Sequence, residues 1–156
     1  MKAMTTAALA EILEAGIPLT GFMGVTVQHY DGLELRLAAP YDPNRNHKGA
    51  AFGGSLAALA VVTGWSMVEL LRRERGLDAE VVIAQLETRY LAPVTTTLIS
   101  HCTRPPIEIM DALFSEFVTC GKAAVELAIT IDGERPGSVT SRARYVLIQR
   151  ATKRDD

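Results

Sequence analysis

From Gly49 to Val68 the chain carries no charged side chain, and it then turns abruptly polar at Glu69, Arg72, Arg73, Glu74 and Arg75. Ahead of this run stand Asn46, His47, Lys48 and Gly49, followed by Phe52, Gly53, Gly54 and Ser55, a glycine-rich approach to a helix. The pattern predicts a long helix from about Ser55 to Arg73, roughly 28 Å at ~1.5 Å per residue, stopped by Gly76. A helix apolar nearly all round is one that is covered nearly all round. The run also reaches the length of a membrane span, but its glycine-laden start and the strand patterns on either side favour a core helix. No membrane partner is expected.

The rest of the chain supplies the cover. Leu9, Ile12 and Leu13 have helical spacing within Thr6–Ala15, with Thr5 or Thr6 as the cap and Gly16 and Pro18 as the stop. Val25–Tyr30 alternates, Asp31-Gly32 signals a turn, and Leu33, Leu35 and Leu37 continue as the second arm of a hairpin. Pro40–Phe52 reads as a loop. Glu80–Pro93 is the longest strand pattern, with Val82, Ala84, Leu86, Thr88 and Tyr90 on one face, and Thr95–Thr103 is predicted to be its antiparallel partner. Pro105-Pro106 opens a third helix carrying Ile107, Met110, Leu113, Phe114, Phe117 and Val118, which Gly121 ends. Val125, Leu127, Ile129 and Ile131 share one face of Ala123–Ile131, and Val139–Ile148 is a last strand. Arg150–Asp156 is a charged tail. The order predicts an α+β domain spanning 1–156, about six mostly antiparallel strands curled around one helix.

Composition changes this picture little. A chain of 156 residues suits one domain with a sizeable core. A net charge of −2 gives no reason to expect nucleic acid, and Arg72–Arg75 reads as the solvated end of the helix, where cations suit the macrodipole. Glu69 is expected at that same exposed end. Cys102 and Cys120 fall at no metal-ligand spacing and read as reduced, packed thiols, so no metal is expected. The N-terminus has only Lys2 as a basic flank, and Glu11 and Glu14 break its apolar residues, which is unlike a signal peptide. The expected compartment is cytoplasmic.

A strand hairpin, then Asn46-x-x-Gly49-x-x-Phe52-Gly53-Gly54-Ser55-Leu56 before a long apolar helix continuing through Ala57–Trp65, then a strand ending Tyr90-Leu91-Ala92-Pro93-Val94, resembles the hotdog-fold acyl-CoA thioesterases. The closer likeness is to the YiiD C-terminal type of thioesterase domain, from which Ala50 departs where that type has Thr. The resemblance implies a hotdog fold, a sheet wrapped around the central helix, and a homodimer or dimer of dimers paired through the longest strand. It also implies a site at the dimer interface, bounded by the helix N-terminus of one chain and strands of the other. The substrate implied is a small-molecule acyl thioester on coenzyme A or a carrier. The coenzyme A moiety belongs to the substrate, and no separate cofactor is implied.

The residues themselves bear on that chemistry. A helix N-terminus presents free backbone N–H groups and partial positive charge to an incoming oxygen. Gly53 and Gly54 admit a close approach, and an N–H near Gly54 is the candidate oxyanion donor; the plainer alternative is a tight turn. Asn46 is a candidate to hold water or the thioester, or else a turn former. Ser55 reads as an N-cap or first-turn residue rather than a nucleophile. His47 has a titration suited to a general base, though loop histidines also simply face water, and Asp42 is the nearest upstream carboxylate. Gly49, Phe52, Gly53 and Ser55 are the expected substrate contacts, and Asn46, Gly54 and His47 the expected catalytic groups. His29 and His101 look structural. In the related phenylacetate-pathway type the motif has His and Asp at positions matching Phe52 and Val61, neither of which moves protons here. A non-catalytic acyl-thioester-binding hotdog domain is therefore the alternative, with a hydratase or dehydratase behind it.

Overall fold

The computed structural model describes residues 5–150, so the end of the charged tail lies outside them. The first helix, α1 (Thr6–Gly16), is capped by Thr5, whose Oγ1 accepts from the Ala8 N–H at 3.2 Å, and it buries Leu9 and Leu13. A six-residue helix that hydrophobic periodicity was too short to reveal, α2 (Pro18–Met23), follows at once. Pro18 starts it, and Gly24 closes it in the left-handed region at φ 72°. The hairpin of β1 (Thr26–Tyr30) and β2 (Glu34–Ala39) turns where expected. Asp31 Oδ1 accepts from the Leu33 and Glu34 N–H groups at 2.9 and 2.8 Å.

The central helix, α3 (Gly53–Glu74), starts two residues earlier than expected. It is followed by β3 (Ala79–Tyr90), β4 (Leu98–Thr103), α4 (Ile107–Cys120), β5 (Lys122–Asp132) and β6 (Val139–Gln149). The strands form one antiparallel sheet in the order β1-β2-β4-β5-β6-β3. Its inner face, including Leu35, Leu37, Leu98, Leu127, Ile129 and Tyr145, is buried with α3 in one core. The expected Val125, Leu127, Ile129, Ile131 face is the buried one.

Two strand expectations fail. The Thr95–Thr103 segment does not pair with β3: β4 lies between β2 and β5, and among the described residues β3 pairs only with β6. Residues 91–97 are too long for a tight hairpin, and Pro93 removes a ladder donor. The connection is instead tied elsewhere, with the Leu91 and Ala92 N–H groups both donating to the Ser138 carbonyl at 2.9 and 3.1 Å. The expected common face from Val82 to Tyr90 is also broken. A bulge between Ile83 and Gln85 shifts the register, so the half-buried residues are Val81, Leu86 and Thr88, while Val82 and Tyr90 are exposed.

α3 is long and apolar enough to cross a membrane, but 67% of its apolar 18-residue window is buried inside the domain. Its far end also departs from expectation. Glu69 and Arg72 are buried, not solvated, and only Arg73 and Arg75 stand exposed. Cys102 is a packed thiol, pushed up to about 12 by burial, whereas Cys120 at the end of α4 is exposed.

Candidate active site at the start of the central helix

The approach to α3 is a clamped loop. Asn44 is buried, and its Nδ2 donates to the carbonyls of Met23 and Pro40, both at 2.8 Å. Its own carbonyl accepts the Phe52 N–H at 2.7 Å. Ala51 donates to the Val94 carbonyl at 2.7 Å and pairs with Arg45 in an isolated bridge. These bonds fix where the helix begins and bring the 91–97 crossover beside it. No pattern in the sequence marks Asn44 out from the other polar residues of the loop.

Between the ends of that clamp lies a small turn holding three of the expected site residues. Asn46 Oδ1 accepts from the Lys48 and Ala50 N–H groups at 2.7 and 3.2 Å. The turn-forming role is therefore real, and only Nδ2 is left over to donate. Gly49 sits at φ 79°, a conformation that needs glycine. His47 is exposed and makes no hydrogen bond or ion pair among the described residues. Asp42 begins the short 3₁₀ turn Asp42–Asn44.

Phe52 occupies the N-cap position, with φ −66° and ψ 130°, and no side chain caps the helix. Ser55 is thus the third helical residue and not the cap. The first intrahelical bond runs from the Leu56 N–H to the Phe52 carbonyl at 3.1 Å. The N–H groups of Gly53, Gly54 and Ser55 have no acceptor among the described residues. A helix of 22 residues therefore presents three free donors at its positive end.

The two glycines are shaped by aromatic rings. A Cβ on Gly54 would lie 2.3 Å from Phe52 Cε1, so the Phe52 ring lies over the first turn. That ring is 57% exposed. A Cβ on Gly53 would sit 3.5 Å from the Tyr90 ring, whose hydroxyl donates to the Gly53 carbonyl at 2.9 Å. Tyr90 joins the site from β3, a residue the alternation pattern had treated only as part of a strand face.

Val61 is half-buried one face-repeat along the helix, and its carbonyl accepts from Tyr145 Oη at 2.8 Å. Glu69, the first carboxylate of α3, is consumed by Arg72 and Arg73. Burial pushes its pKa up, but the hydrogen bonds from both guanidiniums outweigh this and hold it below the ordinary range. The strand histidines are structural: His29 Nε2 lies 3.3 Å from Asp31, and His101 lies between Glu34 (3.2 Å) and Asp132 (2.7 Å). The His101 Nε2–Asp132 contact is close but misaligned for a hydrogen bond, which leaves this buried nitrogen without a hydrogen-bond partner among the described residues. No cluster of three or more His, Cys, Asp or Glu suited to a metal occurs among the described residues.

An antiparallel sheet wrapped around a long helix whose start is left open defines a hotdog domain of the thioesterase type. The chain belongs to the YiiD C-terminal family, described as "Putative thioesterase (yiiD_Cterm)", which it matches over residues 6–149. It is similar to a protein of unknown function from Chlorobaculum tepidum TLS, at 31% identity over 93% of this chain and 94% of that one, with a TM-score of 0.90. It is also similar to a "putative thioesterase" from Shewanella oneidensis, at 27% identity over 92% of this chain and 96% of that one, with a TM-score of 0.80. A thioesterase from Haemophilus influenzae shares the fold at 16% identity over 97% and 96%, with a TM-score of 0.73.

Proposed function

We propose that the protein hydrolyses an acyl thioester carried on coenzyme A or an acyl carrier, with the carbonyl oxygen held by the N–H groups at the start of α3. Water adds to the carbonyl carbon, the C–S bond breaks, one proton of the water leaves on the thiol, and the acyl group departs as carboxylate with the second proton passing to solvent. The uncapped N-terminus carries this reading. Gly53, Gly54 and Ser55 offer three unpaired donors where negative charge develops. Asn46 Nδ2 and the exposed His47, in the loop that leads into α3, are assigned to placing water, and Phe52 and Tyr90 flank the acyl thioester. Coenzyme A enters as part of the substrate, not as a cofactor.

The working unit is a homodimer, alone or paired into a dimer of dimers, in the cytoplasm. β3 is 12 residues long and, among the described residues, is paired along one edge only. Val82 and Ile83 on it are each 39% exposed, and a second copy of β3 satisfies its open edge. The alternative is a domain that binds acyl thioesters without cleaving them, favoured by Phe52 and Val61 standing where proton-transfer groups are wanted.

Thiol release from a panel of acyl-CoAs separates the two. Turnover by the purified protein is expected; saturable binding with no thiol released from any member selects the binding module. Light scattering should return a dimer or tetramer, and a folded monomer contradicts the shared site.

A further inference from the structure

The geometry points to Trp65 as the residue that limits acyl-chain length, making the preferred substrates medium-chain thioesters. This inference rests on the thioester reading above and concerns the same site. From Val62 to Arg72 every residue of α3 is buried except Trp65, which is half-exposed. At 3.6 residues per turn, Val61 and Trp65 both lie within about 20° of the azimuth of Gly54. Gly54, Ala57, Ala58 and Val61 are likewise exposed or half-exposed, so one face of α3 stays uncovered by the protein's own sheet from the oxyanion donors to Trp65. The side chains along it are small until the indole.

Trp65 is held, not floppy. Its Nε1–H donates to the Val81 carbonyl at 3.0 Å, two residues before the β3 bulge. The indole thereby bridges α3 to the strand that forms the open edge of the sheet. Gly54 and Trp65 are ~16 Å apart along the axis at ~1.5 Å per residue. Helical side chains lean toward the N-terminus, so the indole covers the surface about one residue, ~1.5 Å, nearer the donors. The ~15 Å that remain fit an acyl chain of up to about twelve carbons, given C–C bonds of ~1.5 Å laid in zigzag. A longer chain meets the ring.

The test is the chain-length profile of kcat/KM for wild type, Trp65→Leu and Val61→Phe, with the affinity of non-hydrolysable acyl-CoA thioethers measured in parallel. Trp65→Leu is expected to move the optimum to longer chains, with gains on the order of tenfold for chains two carbons past the wild-type limit. Val61→Phe is expected to move it to shorter ones. An unchanged profile in folded variants overturns the inference while leaving hydrolysis standing. Absence of any turnover overturns the hydrolase reading instead, and the thioether affinities then decide Trp65 by themselves. A Trp65→Leu protein that changes only its dimer dissociation makes the indole an interface residue and rejects the role. Should Trp65→Leu fail to fold, Val61→Phe carries the decision.

Discussion

The two ends of α3 are built on opposite principles. At the C-terminal end every strong polar group has a partner. Glu69 takes Arg72 Nη2 at 2.6 Å and Arg73 Nε at 2.5 Å, and Arg72 Nη1 donates to the Leu77 carbonyl at 2.5 Å. Glu74 accepts from Tyr30 Oη at 2.6 Å and Arg104 Nη1 at 2.7 Å. Cations close the negative end of the dipole, and their carboxylate partners tie the helix to the hairpin and to the segment before α4. The N-terminal end has no cap, no carboxylate and three free N–H groups. Two rings flank it, the exposed Phe52 and Tyr90, whose hydroxyl is bonded to the Gly53 carbonyl. One end is finished by the chain itself, and the other is left for something else to finish.

The hardest way to break that contrast is at the closed end. Glu69→Ala strands a buried guanidinium and should cost about 3–5 kcal/mol in urea or thermal unfolding. Adding Arg72→Met should recover most of the loss, because the penalty is the unpaired charge. At the open end the corresponding change affects catalysis, not stability. Gly54→Pro keeps a first-turn conformation that proline tolerates but deletes one N–H. It should lower kcat by about 10²–10³, roughly 3–4 kcal/mol of barrier. Gly54→Ala, which retains the N–H, should remain within a few-fold of wild type. Full turnover by a folded Gly54→Pro dimer would sink the oxyanion assignment.

A smaller effect sharpens the same comparison through two glycines with equal clashes. A Cβ on Gly64 would lie 2.3 Å from Tyr145 Oη, just as one on Gly54 would lie 2.3 Å from Phe52. Tyr145 is fully buried and bonded to Val61, so it cannot yield. Gly64→Ala should therefore destabilise by about 1–3 kcal/mol despite alanine's better helix propensity. Gly54→Ala should be near neutral in the same denaturation experiment, because an exposed ring swings aside. Equal losses at the two sites would mean the Phe52 ring is fixed.

The smallest expected effect lies away from both ends. Hydrogen bonds from Arg36, and then His101, lower Glu34 from 4.5 to about 2. Its folded-state pKa is depressed, so the stability it contributes is present above pH 4.5 and fades as pH falls toward 2. Glu34→Gln should flatten that part of the acid limb by a small amount, since the group is solvent-screened, and leave the plateau near pH 7 unshifted. A change confined to neutral pH would contradict the pairing.

Much of the fold was legible because burial imposes periodicity. The run from Gly49 to Val68 announced a helix covered on most sides, and the alternation in Ala123–Ile131 named its own inner face. What escaped was whatever periodicity does not encode. α2 is too short to show a helical stripe, and the β3 bulge reverses alternation without leaving a mark in composition. The pairing of β4 with β2 and β5 is a long-range choice that adjacent patterns cannot express. At the site, the glycines and Asn46 were visible as types, but their uses were not. Gly54 makes room for Phe52, and Asn46 spends its oxygen on a turn.

The sequence alone determined that a long apolar helix would be wrapped by antiparallel strands and approached through glycines, because residue type and spacing decide local conformation and which face is buried. Only the tertiary structure decided that the helix begins uncapped, that Glu69 and Arg72 are buried as a pair, and that Tyr90 and Trp65 stand along its open face. Those facts depend on which distant groups arrive as partners. A donor is free, or a charge is paired, only with respect to what the rest of the chain brings to it.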